Sequence, residues 1–400
     1  MGGFFARLAK HLSDSGARVY KINFNGGDWY YYYGHSNTTN YRGSPEAWPD
    51  FIGDFLQQHE IKRIFLFGDC RYYHREAIKA ARESGVEVYV FEEGYVRPHY
   101  ITLERGGVNG YTSLPRSPEF FLSQSQVIIK PAKPTGTYFR HMAFAAVGYY
   151  LAAALLSGFF PHYEHHKSFS VLRKGRWWLL SGMRKCWYDW KDQRVDRQLS
   201  SGLSNKYFLV PLQVNNDSQI YYHSDYEKVE AFIADVIESF ARHAPSEMHL
   251  VFKHHPMDRG SRHYGKLIAS LGHKHGVESR LIYTHQIDLA SALKHALGVV
   301  VINSTAGLSS LQHGIPVKVT GRAIYDMPGL TYQEPLNDFW KRPGKVSLSL
   351  LHAFQVYLIS TTQLNGSFYG CDPFPIALPL HGEQGQSGLS SARPQHANQF

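Results

Sequence analysis

The sequence predicts an α/β protein of two doubly wound blocks joined by a helical segment. Three observations carry that expectation. Helix and strand periodicities alternate over residues 4–126 and again over 206–324. The 400 residues suit two domains at roughly 100–200 residues each. Between the blocks lies a long uncharged run followed by a basic, tryptophan-rich stretch, a composition neither block shares.

The first block opens with apolar residues at helical spacing from Phe4 to Ser15, then a strand over Ala17 to Phe24 closed by Asn25-Gly26-Gly27. Pro49 to His59 reads as an amphipathic helix, Arg63 to Gly68 as a buried strand, His74 to Ser84 as a helix and Val86 to Phe91 as a strand. Strands separated by helices imply a parallel sheet covered on both faces. Gly2-Gly3 stands where a strand-to-helix loop belongs, with no strand before it, so a shortened start is expected. The second block runs through the strand YFLVPLQV, a helix over Glu227 to Ala241, the strand MHLVFK, a helix over Tyr264 to Gly272 and a strand over Arg280 to Tyr283. It continues with a helix over Leu289 to Ala296, the buried strand Gly298 to Ile302, a helix over Thr305 to His313, and PVKVT. Ligands in such sheets sit beyond the carboxyl ends of the strands, so the functional residues are expected just after them.

Met142 to Pro161 carries no charge. About twenty apolar residues span a bilayer, but this run is diluted by alanine, glycine, tyrosine and serine, so a buried or interfacial helix is expected ahead of a spanning one. Lys167 to Arg197 follows, with nine Lys or Arg against Asp189, Asp192 and Asp196 and four of the seven tryptophans. Six of the chain's nine net positive charges therefore fall there. Trp177, Trp178, Trp187 and Trp190 interleaved with cations suit an anionic membrane surface. The same pattern also suits base stacking on a nucleic acid, or a solvated helix packed by its indoles. With two thirds of the charge localised in this way, the balance argues for a membrane surface and against nucleic acid.

The expected divisions are 1–126, the first block; 127–200, the helical segment; 201–345, the second block; 346–372, a terminal helix; and 373–400, a loose Gly, Ser, Gln and Pro-rich tail. Cys70, Cys186 and Cys371 are far apart and form no CxxC or zinc spacing, and the amino terminus has no continuous apolar core. A reduced, cytoplasmic protein without a secretory signal is expected.

Four clusters follow strands and offer chemistry. Glu92-Glu93-Gly94-Tyr95-Val96-Arg97 sets two carboxylates at a strand end, where apolar neighbours raise a carboxyl pKa and a guanidinium lowers it; an exposed acidic turn has the same composition. Gln213 to Ser218 flanks Asp217 with amides that can orient it as a nucleophile, although it is also ordinary turn composition. Lys253-His254-His255-Pro256 ends a strand and offers imidazole donors to a phosphate. Adjacent histidines point to opposite sides of a strand, so no metal pair is expected there or in Pro161 to His166. Asn303-Ser304-Thr305 opens a helix with hydroxyls and free N–H groups that suit a phosphate. Neither GxGxxG nor GxxxxGK[ST] occurs, which argues against dinucleotide and P-loop sites.

The ordered set FNGGDWYYY, FGDCRYYHREAI, FEEGYVRPHYITLE, VPLQVNNDSQI, FKHHPMDRG, INSTAGLSSLQHGIPVKV and IYDMPGLT, over residues 3–345, resembles the capsular polysaccharide synthesis proteins of the KpsS/LipB type. That resemblance implies two Rossmann-like domains in a GT-B-like arrangement. It implies a glycosyltransferase that takes Kdo from CMP-Kdo and adds it in β linkage to a phosphatidylglycerol-based lipid already primed by a KpsC-type transferase, ahead of the capsule export machinery. Its place would be the inner face of the inner membrane, peripherally bound, with no cofactor beyond the donor substrate and no nucleic acid. By motif, Asp217 resembles the nucleophile of a retaining double displacement and Glu93 the second carboxylate, standing where related EDG motifs often carry Asp. His255, Pro256, Ser304 and Thr305 resemble the nucleotide-holding positions, with Lys253 and His254 nearby. Glu92, Gly94, Tyr95 and Arg97 would shape the acceptor side. Two rivals stay open: a GT-B enzyme or epimerase using a UDP-sugar, and a non-enzymatic capsule assembly or export factor.

Overall fold

The computed structural model describes residues 2–124, 129–136, 138–164 and 171–376. In chain order, α1 (Phe4–Asp14), β1 (Lys21–Asn23), α2 (Gly26–Tyr31), β2 (Thr38–Asn40), α3 (Trp48–Gln58), β3 (Arg63–Phe67), α4 (Tyr72–Glu83), β4 (Glu87–Glu93) and β5 (Tyr100–Arg105) build the first block. The helices α5 (Pro118–Ser123), α6 (Phe139–Leu155), α7 (Val171–Lys191) and α8 (Gln193–Ser200) follow. The second block contains β6 (Tyr207–Pro211), α9 (Ser218–His223), α10 (Val229–His243), β7 (His249–Lys253), α11 (Gly265–His275), β8 (Leu281–Thr284), α12 (Leu289–His295), β9 (Gly298–Val301), α13 (Thr305–Gln312) and β10 (Val317–Val319). The chain then forms α14 (Leu336–Phe339), α15 (Leu348–Thr361) and β11 (Gln363–Asn365).

The second block is the doubly wound sheet the periodicity predicts: five parallel strands in the order β10-β9-β6-β7-β8, with β6 at the centre. Strands β6 and β9 are buried along their whole length, which matches the uninterrupted apolar runs YFLVP and GVVV. Helices cover both faces, through one core cluster around Leu209, Val299 and Phe354 and another around Phe208, Phe240 and Trp340.

The first block departs from an all-parallel sheet. Its four-stranded sheet has the order β11-β5-β4-β3, with β3 and β4 parallel but β5 and β11 antiparallel to their neighbours. Residues 94–99 connect β4 to β5, too few for the helical crossover that parallel pairing demands, so the chain turns back on itself. The strand expected over Ala17 to Phe24 shrinks to β1, which pairs with β2 in a separate parallel ribbon. Asn25-Gly26-Gly27 does not merely close it: Asn25 Oδ1 accepts the N–H groups of Gly27 and Asp28 and starts α2. Helix α1 and residues 368–376 cover one face of the four-stranded sheet, with Phe4 and Phe91 edge to face; α3 and α4 belong to the core cluster that holds Val88 and Val90.

Helices α6 and α7 sit in different surroundings. Helix α6 packs on α2, where Tyr31 Oη donates to the carbonyl of Ala145 at 2.9 Å. At the α7–α8 junction the buried carboxylate of Asp192 accepts from Thr284 Oγ1, His285 N and Gln286 N at 2.7–2.8 Å, which pins the junction to the loop after β8. Among the described residues no helix is long and apolar enough to cross a membrane. The side chains of Trp177 and Trp178, and most of the expected tail, lie outside the described residues.

Candidate active site

The carboxyl ends of β3, β4, β6, β7, β9 and β10 converge on a cavity of about 370 Å³. Each strand is an apolar run halted by a polar turn, so the turns that follow bring their side chains to a common cleft. Of the sequence-predicted residues, Asp217, Glu92, Glu93, Tyr95, Arg97, His255, Ser304 and Thr305 line it. Gly94 sits among them in sequence and is buried where a Cβ would fall 2.1 Å from the carbonyl oxygen of Tyr100, so only glycine fits this reversal.

Asp217 is the N-cap of α9. Its Oδ1 accepts the N–H of Gln219 at 3.0 Å and its Oδ2 accepts Gln213 Nε2 at 3.2 Å. The same Gln213 Nε2 donates to Asn303 Oδ1 at 2.9 Å, while Asn303 Nδ2 donates to the carbonyl of Gln219 at 2.9 Å. The loops after β6 and β9 therefore share one amide network, and that network fixes where the Asp217 carboxylate points.

The two carboxylates at the end of β4 differ. Glu93 is exposed, whereas burial, aided by the negative charges of Glu93 and Asp69, pushes the Glu92 carboxyl up to about 7; the N–H of Glu93 donates to its Oε1 at 2.9 Å and opposes the rise. A carboxyl poised near neutrality can hold or release a proton at physiological pH. Two environments thus meet at the end of β4, a buried carboxyl at Glu92 and an exposed one at Glu93, both lining the cavity.

His255 is held neutral by burial and the Lys253 charge, which lower its pKa to about 4. Its Nδ1 accepts the N–H of Met257 at 3.2 Å, so the proton resides on Nε2 and the ring is a neutral donor rather than a cation. His254 points the other way, as alternation along the chain requires. It is 1% exposed, its Nδ1 pairs with Tyr283 Oη at 2.8 Å, and its ring lies 4.5 Å from that of His285. Lys253, His254 and Pro256 are not among the residues lining the cavity. Ser304 caps α13, its Oγ accepting the N–H of Ala306 at 3.2 Å, and Thr305 is the first residue of that helix.

The cavity also holds Asp69, Cys70, Arg71 and Arg322, which the sequence reading did not single out. The signal was present: FGDCR follows the strand RIFLF and Gly321-Arg322 follows VKV, so the post-strand rule applied to β3 and β10 finds them. Arg71, Arg97 and Arg322 bring three guanidiniums to the same cavity as four carboxylates, those of Asp69, Glu92, Glu93 and Asp217. Asp69, Cys70 and His223 place one potential metal-ligating atom each within 4.8 Å of one another. Hydrogen bonds already engage them: Asp69 Oδ2 accepts the N–H of Val108 at 2.8 Å, and Cys70 Sγ lies 3.3 Å from Asp69 Oδ1 and 3.6 Å from His223 Nε2. Burial and the neighbouring Asp69 charge raise the thiol pKa, so Cys70 stays protonated. The trio links the β3–α4 loop of the first block to α9 of the second.

Comparison with known proteins adds the following. Residues 62–369 match the family model described as capsule polysaccharide biosynthesis protein. The chain is 41% identical over 381 residues to the capsule polysaccharide modification protein LipB of Neisseria meningitidis serogroup B, covering 94% of this chain and 91% of that one. It is 42% identical over 373 residues to the capsule polysaccharide export protein KpsS of Escherichia coli, covering 92% and 95%. Among solved structures, KpsC of Thermosulfurimonas dismutans, a beta Kdo 2,7 transferase, is 19% identical with a TM-score of 0.40, covering 84% of this chain and 89% of that chain.

Proposed function

Because the chain belongs to the capsule polysaccharide biosynthesis protein family, we propose that it is a retaining glycosyltransferase that moves Kdo from CMP-Kdo to a Kdo-primed, phosphatidylglycerol-based lipid. One observation carries the reading: post-strand loops of both blocks deliver an oriented carboxylate, a proton-poised carboxyl and a neutral imidazole donor to one cavity.

In this mechanism the Asp217 carboxylate attacks the anomeric carbon of Kdo. The bond from that carbon to the phosphate oxygen breaks, and CMP leaves with the electron pair. The acceptor hydroxyl then attacks the same carbon, Glu92 takes its proton, and the ester to Asp217 breaks with return of the electron pair to the carboxylate. Two inversions give net retention. His255 Nε2 and the start of α13 at Ser304 and Thr305 suit the phosphate of the donor. CMP-Kdo carries a phosphate and a sugar carboxylate, and Arg71 and Arg322 supply cations for two such anions. Glu93, Gly94, Tyr95 and Arg97 shape the acceptor side of this arrangement. A KpsC-type transferase would supply the primed lipid and the export machinery would take the elongated product, with the protein peripheral on the inner face of the inner membrane.

The test is direct: incubation with CMP-Kdo and a lipid bearing one Kdo, followed by mass spectrometry of the lipid. Gain of Kdo supports the reading. Stabilisation by UDP but not CMP, or absence of transfer with the intact acceptor, contradicts it and favours a UDP-sugar enzyme or a non-enzymatic export factor respectively.

A further inference from the structure

Helix α6 leaves an apolar stripe open. Phe144, Val147, Leu151 and Leu155 recur at spacings of three and four, which places them on one face, and they are 75%, 64%, 54% and 75% exposed. Phe139 before them and Phe159 just past the helix are exposed too. A helix on the surface of a soluble domain ordinarily turns charged or polar side chains outward.

The stripe is not the result of a loosely docked helix. The opposite face buries Ala152 and Ala153, and α2 approaches so closely that a Cβ on Gly26 would fall 2.5 Å from the carbonyl oxygen of Ala152 and one on Gly27 would fall 2.6 Å from the Tyr149 ring. Asn25 Nδ2 donates to Tyr149 Oη at 2.7 Å across the same contact. Helix α6 is therefore apolar on both sides, one against the protein and one outward.

Charge specifies the occupant. From residue 120 to residue 163 the chain contains no Asp or Glu, while Lys130, Lys133 and Arg140 fall there together with His141 and His162. Apolar side chains flanked by cations with no carboxylate among them complement acyl chains beneath anionic headgroups. At 17 residues the helix is about 25 Å long by the 1.5 Å rise. Its inner face is taken by α2, so it can lie on a bilayer and not span one.

We propose that α6 is an interfacial helix whose Phe144, Val147, Leu151 and Leu155 enter the surface of an anionic bilayer. This moves the membrane contact away from the basic tryptophan-rich stretch that the sequence emphasises, to a helix close to the cavity: the Tyr163 ring, just past α6, stacks on that of Tyr73 at 6.1 Å, two residues from the cavity-lining Arg71. Resting on the transferase reading, the same placement lets a lipid-linked acceptor present its headgroup to the Glu93 side of the cavity while its chains stay in the bilayer.

The experiment compares the full chain with the double variant Phe144→Ser and Leu151→Ser, and with Trp187→Ser and Trp190→Ser on α7. Sedimentation is measured with phosphatidylcholine vesicles, with and without phosphatidylglycerol. The inference expects binding that requires phosphatidylglycerol and a loss of at least about tenfold in the α6 variant, from two apolar side chains withdrawn from the acyl region. Unchanged thermal midpoints verify folding, since both side chains point outward. Equal binding by the α6 variant, or loss confined to the α7 variant, overturns it. So does a wild-type dimer that the α6 variant dissociates without change in vesicle binding, because the stripe would then be a self-association surface. Vesicle binding is read without donor or transfer, so failure of the transferase reading leaves this result standing, and the converse holds.

Discussion

Asp217 has two jobs in this account, and they separate by substitution. As the N-cap of α9 it satisfies the Gln219 N–H, and as the proposed nucleophile it attacks Kdo. Asparagine caps as well as aspartate, whereas alanine does not, at a cost of about 1 kcal/mol. For a cooperative unit of 150–250 residues that lowers Tm by about 2–4 °C. Asp217→Asn keeps the Gln219 contact and turns an amide N–H₂ toward Gln213 Nε2, a partly exposed mismatch worth no more than about 1 kcal/mol because Gln213 retains Asn303. Stability should therefore stay close to wild type for Asn and fall modestly for Ala. Transfer should collapse in both, on the order of 10⁴-fold, because an amide cannot form the glycosyl ester. The assay pairs thermal unfolding with transfer rates at saturating CMP-Kdo. If Asp217→Asn retains activity while Asp217→Ala loses it in proportion to stability, Asp217 is a cap alone and the nucleophile assignment fails.

Further outcomes follow from the same geometry. The Glu92 carboxyl keeps its proton up to about pH 7 when folded, against an ordinary value of 4.5; the folded state binds more protons between those values, so stability falls as pH rises through that window. Glu92→Gln should flatten that slope and abolish the rising limb of kcat/KM near pH 7, whereas Glu104→Gln, whose carboxyl burial also raises to about 7 outside the cavity, should leave the limb in place. A persistent limb in Glu92→Gln contradicts the assignment. His255→Ala should raise KM for the donor by about tenfold, the value of one hydrogen bond to a charged group, and a KM equal to wild type would remove His255 from the phosphate site. Gly94→Ala should fail to accumulate as folded protein, given the 2.1 Å approach to Tyr100, while Gly53→Ala, in α3 with open space around it, should gain about 0.5–1 kcal/mol in denaturant titrations. A soluble, active Gly94→Ala would contradict the packing.

What the sequence conveys follows from where the information lies. The strands RIFLF, YFLVP and GVVV are continuous apolar runs, and each ends at a polar turn, so their existence and the location of the cleft can be read from one chain. The strand expected over Ala17 to Phe24 contains β1, whereas β2, with three paired residues, leaves no periodic trace. The antiparallel return of β5 depends on the length of a six-residue connection rather than on composition. Alternation tells that His254 and His255 face opposite ways. It does not tell which of the two faces the other block, because that is decided by residues remote in sequence, such as the Tyr283 hydroxyl that occupies His254. The basic tryptophan stretch stood out because charge is visible in composition. The open face of α6 was hidden by alanines and glycines whose role, close packing on α2, appears only once both helices are in place.

The central claim is that this cavity forms a glycosidic bond to Kdo, and the measurement that meets it most directly is mass spectrometry of the Kdo-primed lipid after reaction with CMP-Kdo, with wild-type protein and Asp217→Asn side by side. The account predicts a product one Kdo heavier, or a ladder of such products, with wild type and none with the variant. An unchanged acceptor in both, under conditions where the protein is folded and vesicle-bound, would contradict it.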